Sequence, residues 1–142
     1  MSRPASKPSL RDGMKHALVH IALVVPDYDQ AIAHYRDAFG FALIEDRTMG
    51  PDKRWVLIQP PGERGAALLL ARASNDEQSS RIGNQTGGRV FLFLHTDDFE
   101  ASLARALAHG ATATETPRNE AYGRVAVLLD RYGNQWDLIE PR

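Results

Sequence analysis

The sequence predicts an α+β fold in which one strand–helix–three-strand unit, βαβββ, is used twice. Three observations lead there. The chain matches itself at a spacing of 70 residues, its apolar stretches are of strand length and broken by Gly or Pro, and two amphipathic segments each run from an Asp to a Gly. With 142 residues, 43% of them hydrophobic and 25% charged, the chain is one globular domain's worth of sequence.

The repeat sets the organisation. A shift of 70 positions lays Asp27 on Asp97, Ala31 on Ala101, Ala38 on Ala108, Gly40 on Gly110 and Arg54 on Arg124. These identities fall at the boundaries of elements, which points to two modules, 15–73 and 88–141, within a single domain spanning 15–142. A polar linker, 74–87, joins them, and residues 1–14, with two prolines and scattered Ser, Lys and Arg, read as a flexible N-terminal tail.

Each element has its own local reason. Residues 17–25 are rich in Val, Leu and Ile, as a strand requires. Asp27 offers a carboxylate cap, with Gln30 completing a capping-box-like start. Ala31, Ile32, Tyr35, Ala38 and Phe39 then share one helical face, and Gly40 supplies the left-handed stop. Strands follow at 41–46, 54–59 and 66–71. The second module repeats the order: a strand at 90–95, a capping pair in Asp97 and Glu100, a helix to Ala108, a stop at Gly110, and strands at 111–115, 124–129 and 135–140.

Composition removes several function classes. The absence of cysteine excludes disulfides, thiolate metal sites and cysteine nucleophiles. With 17 Lys and Arg against 18 Asp and Glu, nothing marks a nucleic-acid or acidic-membrane partner. No apolar segment reaches transmembrane length and no secretory signal opens the chain, so a soluble cytoplasmic protein is expected. The glycine-rich 83–88 lacks the Gly-Lys-Ser/Thr of a phosphate loop, and no G-x-S-x-G occurs.

The opening His20-Ile-Ala-Leu-Val-Val-Pro-Asp, the Ala31-Ile-Ala-His-Tyr helix running into Phe39-Gly-Phe, and the closing Asp130-Arg-Tyr-Gly-Asn-Gln-Trp-Asp-Leu-Ile-Glu resemble the vicinal oxygen chelate superfamily. That group holds glyoxalases, extradiol dioxygenases and bleomycin-resistance proteins. The resemblance implies paired modules forming a curled mixed sheet around a cavity, a small-molecule ligand and a homodimer. Metal-using members take ligands from the first and last strand of each module, which assigns His20 and Asp137 here. Leu69 and Val90 stand in the other two slots and cannot bind a cation. Two ligands hold a divalent ion weakly, because catalytic sites normally keep about three.

Strand alternation puts His20, Ala22 and Val24 on one face. His20 and Asp137 are therefore the candidate catalytic pair, as metal ligands or as a proton-transfer pair. Leu69 and Val90 would turn the ligand cage into an apolar wall for substrate. Arg54 and Arg124, a matched pair, are candidate grips for a carboxylate or phosphate, against the plainer reading of exposed strand-start charges. Trp55, Trp136 and Tyr122 suit stacking on a planar ligand, or simple core packing. His34, His95 and His109 read as structural. Two functions follow: a glyoxalase-like lyase or dioxygenase acting on a small oxygenated molecule, or a metal-free protein that sequesters a drug-like one.

Overall fold

The computed structural model describes residues 13–62 and 64–142. The expected tail, apart from Gly13 and Met14, lies outside the described residues. The element order is β1 (His20–Val25), α1 (Tyr28–Phe39), β2 (Ala42–Gly50), β3 (Lys53–Gln59), β4 (Ala67–Arg72), α2 (Asp76–Ser80), β5 (Leu92–His95), α3 (Phe99–Ala108), β6 (Thr112–Ala113), β7 (Arg118–Glu120), β8 (Gly123–Leu129) and β9 (Gln135–Pro141). Among these helices, none is long and apolar enough to cross a membrane.

The strands form two sheets. Sheet 1 has the order β1-β4-β3-β2, and sheet 2 the order β5-β9-β8-β6 with β7 also paired to β8. In each, the opening strand lies parallel to the closing strand and the other pairs are antiparallel. This is the α+β, twice-used βαβββ arrangement that the self-match predicts.

Several local expectations are corrected. The α3 cap is Asp98, whose side chain accepts the Ala101 N–H at 3.1 Å; Asp97 is not the cap. A spacing of 71 residues therefore holds around the helix starts of the two halves. The strand expected at 111–115 is shorter, Thr112–Ala113, and a second short strand, β7, follows at Arg118–Glu120 on the same partner β8. The linker contains α2, started by Asn75, whose side chain accepts the Gln78 N–H at 2.8 Å.

Asp27 and Gly40 do what their positions suggest. Asp27 accepts the Gln30 N–H at 2.8 Å, and Gly40 ends α1 at a φ of 72°, a conformation costly for any residue with a Cβ. Arg105 of α3 then donates to the exposed carbonyls of Asp37 and Arg36, at 2.8 and 2.9 Å. A cation thus sits at the negative end of α1, bonding one half of the chain to the other.

The helices fill the space on one side of each sheet. Leu23, Val25, Val56, Ile58, Leu68 and Leu70 of sheet 1 join Leu128, Trp136 and Leu138 of sheet 2 in one core cluster with Ala31, Tyr35, Phe99 and Ala106. A buried carboxylate sits inside it. Asp130 accepts the Tyr35 hydroxyl at 2.5 Å, the Trp136 indole N–H at 2.9 Å, the Asn134 carboxamide at 3.0 Å, and the backbone N–H groups of Tyr132 and Asn134. Burial, then the charge of Asp130, hold the Tyr35 phenol well above its usual range. Beside it, His34 accepts the Arg131 N–H at 3.0 Å, and desolvation lowers its basicity, which favours the neutral ring that bond requires.

Asp130→Ala should cost on the order of 3 kcal/mol in urea denaturation, since it strands the hydroxyl and indole donors inside the core. Tyr35→Phe should cost only about 1 kcal/mol, because it removes a single donor and leaves the carboxylate its other partners. Equal losses for the two variants would show that Asp130 does not organise the cluster.

Candidate functional site

The register of the strands assigns side chains to faces. In sheet 1, Ala22 pairs with Leu69 and Leu57 with Leu69, while Glu45 pairs with Leu57 and Arg47 with Trp55. His20, Val24, Leu69, Leu57, Trp55, Glu45 and Arg47 therefore share the face turned away from the helices. On that face the His20 ring meets Trp55 edge-on at 5.8 Å between centroids. The Trp55 indole donates to Glu45 at 3.2 Å, and Arg47, ion-paired to Glu45 at 2.6 Å, lies 6.0 Å over the Trp55 ring. An aromatic surface is thus held in place by a charged pair at its rim. A groove of about 1090 Å³ runs from this surface, between Val24, Trp55 and Leu69 on the sheet and Asn75, Gln78 and Ser79 around α2.

Sheet 2 has an equivalent outer face. Asp137 pairs with Phe93 and Val127, Ile139 with His95 and Val125, and Arg118 with Val125, which puts them together. Asp137 is buried although its Oδ1 has no hydrogen-bond donor among the described residues, whereas Phe93 beside it is 64% exposed. Desolvation raises the Asp137 carboxyl above its usual range, while Arg118 pulls it back and Glu115 adds to the rise. Arg118 itself is held by Glu115 at 2.7 Å and Glu120 at 2.6 Å.

The expected site residues divide accordingly. His20 and Leu69 lie together on sheet 1. Asp137 belongs to sheet 2, and Val90 precedes β5, beside the start of β9, where the Phe91 N–H bonds the Gln135 carbonyl at 2.8 Å. The two pairs thus stand on different sheets, which share no strand pair among the described residues. Among the described residues, no three His, Asp or Glu side chains gather to hold a metal ion. The residues of one chain do not fit the ion that the resemblance implies.

Arg54 and Arg124 point towards the helices. Arg54 spans Asp29 at 2.9 Å and Asp46 at 2.7 Å, its guanidinium 5.1 Å over the Tyr28 ring. Arg124 pairs with Glu100 and lies 4.6 Å over the Phe99 ring. Both are clasps on the first turn of a helix, and Arg54 also lines the groove beside Trp55. Trp136 is core, and Tyr122 is exposed. Sequence reasoning undervalued Trp55, although its odd position against Val56 and Ile58 already set it opposite the core. His95, read as structural, lies on the outer face with Phe93, since it pairs with Ile139 two residues along from Asp137.

Comparison with known proteins gives consistent results. A profile of the Glyoxalase/Bleomycin resistance protein/Dioxygenase superfamily matches residues 17–138. An uncharacterized protein of Shewanella frigidimarina (strain NCIMB 400) is 54% identical over 128 residues, covering 89% of this chain and 95% of that one. TnmS3, an antibiotic binding protein from Streptomyces sp. CB03234, is 27% identical, with a TM-score of 0.69 over 91% of this chain and 98% of its own. A superfamily member from Sphaerobacter thermophilus DSM 20745 is 26% identical, with a TM-score of 0.72 over 90% and 98% of the two chains.

The Asp137 environment has a measurable consequence. A carboxyl raised in the folded state binds its proton more tightly there than in the unfolded chain, so its folded form loses stability as pH rises through that interval. Asp137→Asn has the same shape and no titration. The stability of the variant relative to the parent should rise from about pH 3 to the raised value and stay level above it. A difference that does not change with pH would contradict the buried, unpaired carboxyl.

Proposed function

The chain belongs to the glyoxalase/bleomycin resistance protein/dioxygenase superfamily, and from that premise we propose that it binds a small, largely planar organic molecule on the outer face of sheet 1. The observation that carries this reading is Trp55, half-buried on an open face beside Leu69 and braced by His20, Glu45 and Arg47. Aromatic and aliphatic walls with a few fixed polar groups are the usual lining of small-molecule sites. A groove of about 1090 Å³ gives room for a drug-sized compound. The likeness to TnmS3 supports an antibiotic-like ligand. Leu69, where metal-using relatives place a carboxylate, favours van der Waals contact over coordination.

A second reading is turnover of a small oxygenated molecule, in the manner of the glyoxalases or dioxygenases. It is favoured by Asp137, a buried carboxyl whose raised proton affinity suits an acid or base. Such turnover would proceed with the chain's own groups, and its mark is loss in Asp137→Asn with ligand binding retained. Either reading includes a homodimer, supported by the edge of β5, unpaired among the described residues, and by the exposed Phe93 beside the buried Asp137.

Two measurements check these statements. Titration with a panel of aromatic antibiotics, and with 1-anilinonaphthalene-8-sulfonate, should quench Trp55 emission, and Trp55→Ala should weaken binding about tenfold. Trp136, buried and bonded to Asp130, serves as the internal control. If no compound perturbs Trp55, or if Trp55→Ala binds as well as the parent, the site has been misplaced. Sedimentation at low micromolar concentration should give twice 15.7 kDa; a monomer mass throughout would remove the dimer.

A further inference from the structure

Among the described residues sheet 1 ends at β1, whose outer edge presents backbone groups with no strand beside them. One side chain takes that place. The Gln85 carboxamide oxygen accepts the Val24 N–H at 2.7 Å, and its nitrogen donates to the Ala22 carbonyl at 3.2 Å. These are the two bonds that a residue of a neighbouring strand would make.

The segment before Gln85 is held far more loosely. α2 buries none of its residues, yet Asn75, Asp76, Gln78 and Ser79 form one wall of the groove on sheet 1. The side-chain bonds around it are local: Ser74 with Gln78, Asn75 with Gln78, Ser80 with Glu77, and Arg81 with Glu77. Its backbone bonds outside the helix are local too, ending at Asn84 on Arg81. The ends are fixed. The Ala73 N–H bonds the Val25 carbonyl at 2.9 Å, and Gly83 lies so close to the 132–133 turn that a Cβ there would be 1.9 Å from the Tyr132 carbonyl. An element with no buried side chain, local bonds and fixed ends belongs to the low-stability part of a fold.

We propose that residues 74–82 are a flap hinged at Ala73 and at the Gly83–Gln85 end, with the two Gln85 bonds as the latch that fastens the second hinge to β1, and that loosening this hinge lets the α2 wall move and governs admission and release of ligand at the sheet 1 groove. The proposal rests on the binding reading above and adds control of access to it. Gln85 is a positioning residue in this scheme, since it touches strand β1 and not the ligand.

The test uses the whole protein and 1-anilinonaphthalene-8-sulfonate as the probe. In Gln85→Ala, the Val24 amide should exchange with solvent about tenfold faster by NMR, because its acceptor is gone. Stopped-flow fluorescence should then show probe association and dissociation both accelerated several-fold, with little change in their ratio. Gln85→Glu keeps the acceptor for Val24 and loses the donor to Ala22, so it should fall between the two and replaces the alanine variant if that one fails to fold. Unchanged exchange at Val24 would show that Gln85 is no latch. Faster exchange with unaltered probe rates would overturn the gate alone. A parent protein that does not bind the probe would overturn the binding reading and the gate together.

Discussion

Asp130 is the point on which the rest of the structure depends. A carboxylate buried in an apolar core is costly unless nearly every lone pair meets a donor. Here the donors come from both halves of the chain: Tyr35 from α1, Trp136 from β9, and Asn134 with the backbone of its own turn. Satisfying that carboxylate fixes the turn between β8 and β9, sets the entry of the closing strand, and seats α1 against the second half. His34 reinforces the same junction one residue away, through the Arg131 N–H. Gly83 packs on this turn as well, so the position of the linker is inherited from it.

With the helices gathered around that junction, each sheet has one face turned to the core and one turned away. The internal repeat is visible in how the first face is maintained. Arg54 over Tyr28 with Asp29, and Arg124 over Phe99 with Glu100, are the same clasp made twice. A guanidinium stacked on an aromatic ring and paired to a first-turn carboxylate anchors the start of a helix to the middle of a sheet. The two halves differ where the outer faces are concerned. Sheet 1 offers a tryptophan and leucines, and sheet 2 a buried carboxyl under an arginine held by two glutamates.

That difference shapes the functional reading. An apolar, aromatic face has affinity for flat organic molecules through burial and stacking. A strap without buried side chains can move beside it at small free-energy cost, while the sheet remains rigid. Stability is concentrated at the junction of the halves, and adaptability at the linker that borders the groove.

The strand–helix–three-strand order, the repeat, the caps at Asp27 and Gly40, and the core face of the first helix were legible in the residues themselves. Each rests on local chemistry: a side-chain oxygen near a free N–H, a glycine at positive φ, an apolar period. The position of Asp98 as the second cap was one residue beyond reach, because two adjacent aspartates offer the same carboxylate and only packing chooses between them. Arg54 and Arg124 were seen as a pair, but whether they faced a ligand or a helix depended on which neighbours the sheet brought within reach. Alternation by itself determined that His20, Ala22 and Val24 share a face, since it is local to one strand, whereas the β1–β4 register brings Leu69 onto that face. Only the tertiary structure decided that Asp137 lies in a separate sheet, that its carboxyl is buried without a donor, and that Gln85 closes the edge of β1. Those outcomes depend on contacts between residues far apart in the chain, and such contacts are set by the packing of the two halves around Asp130.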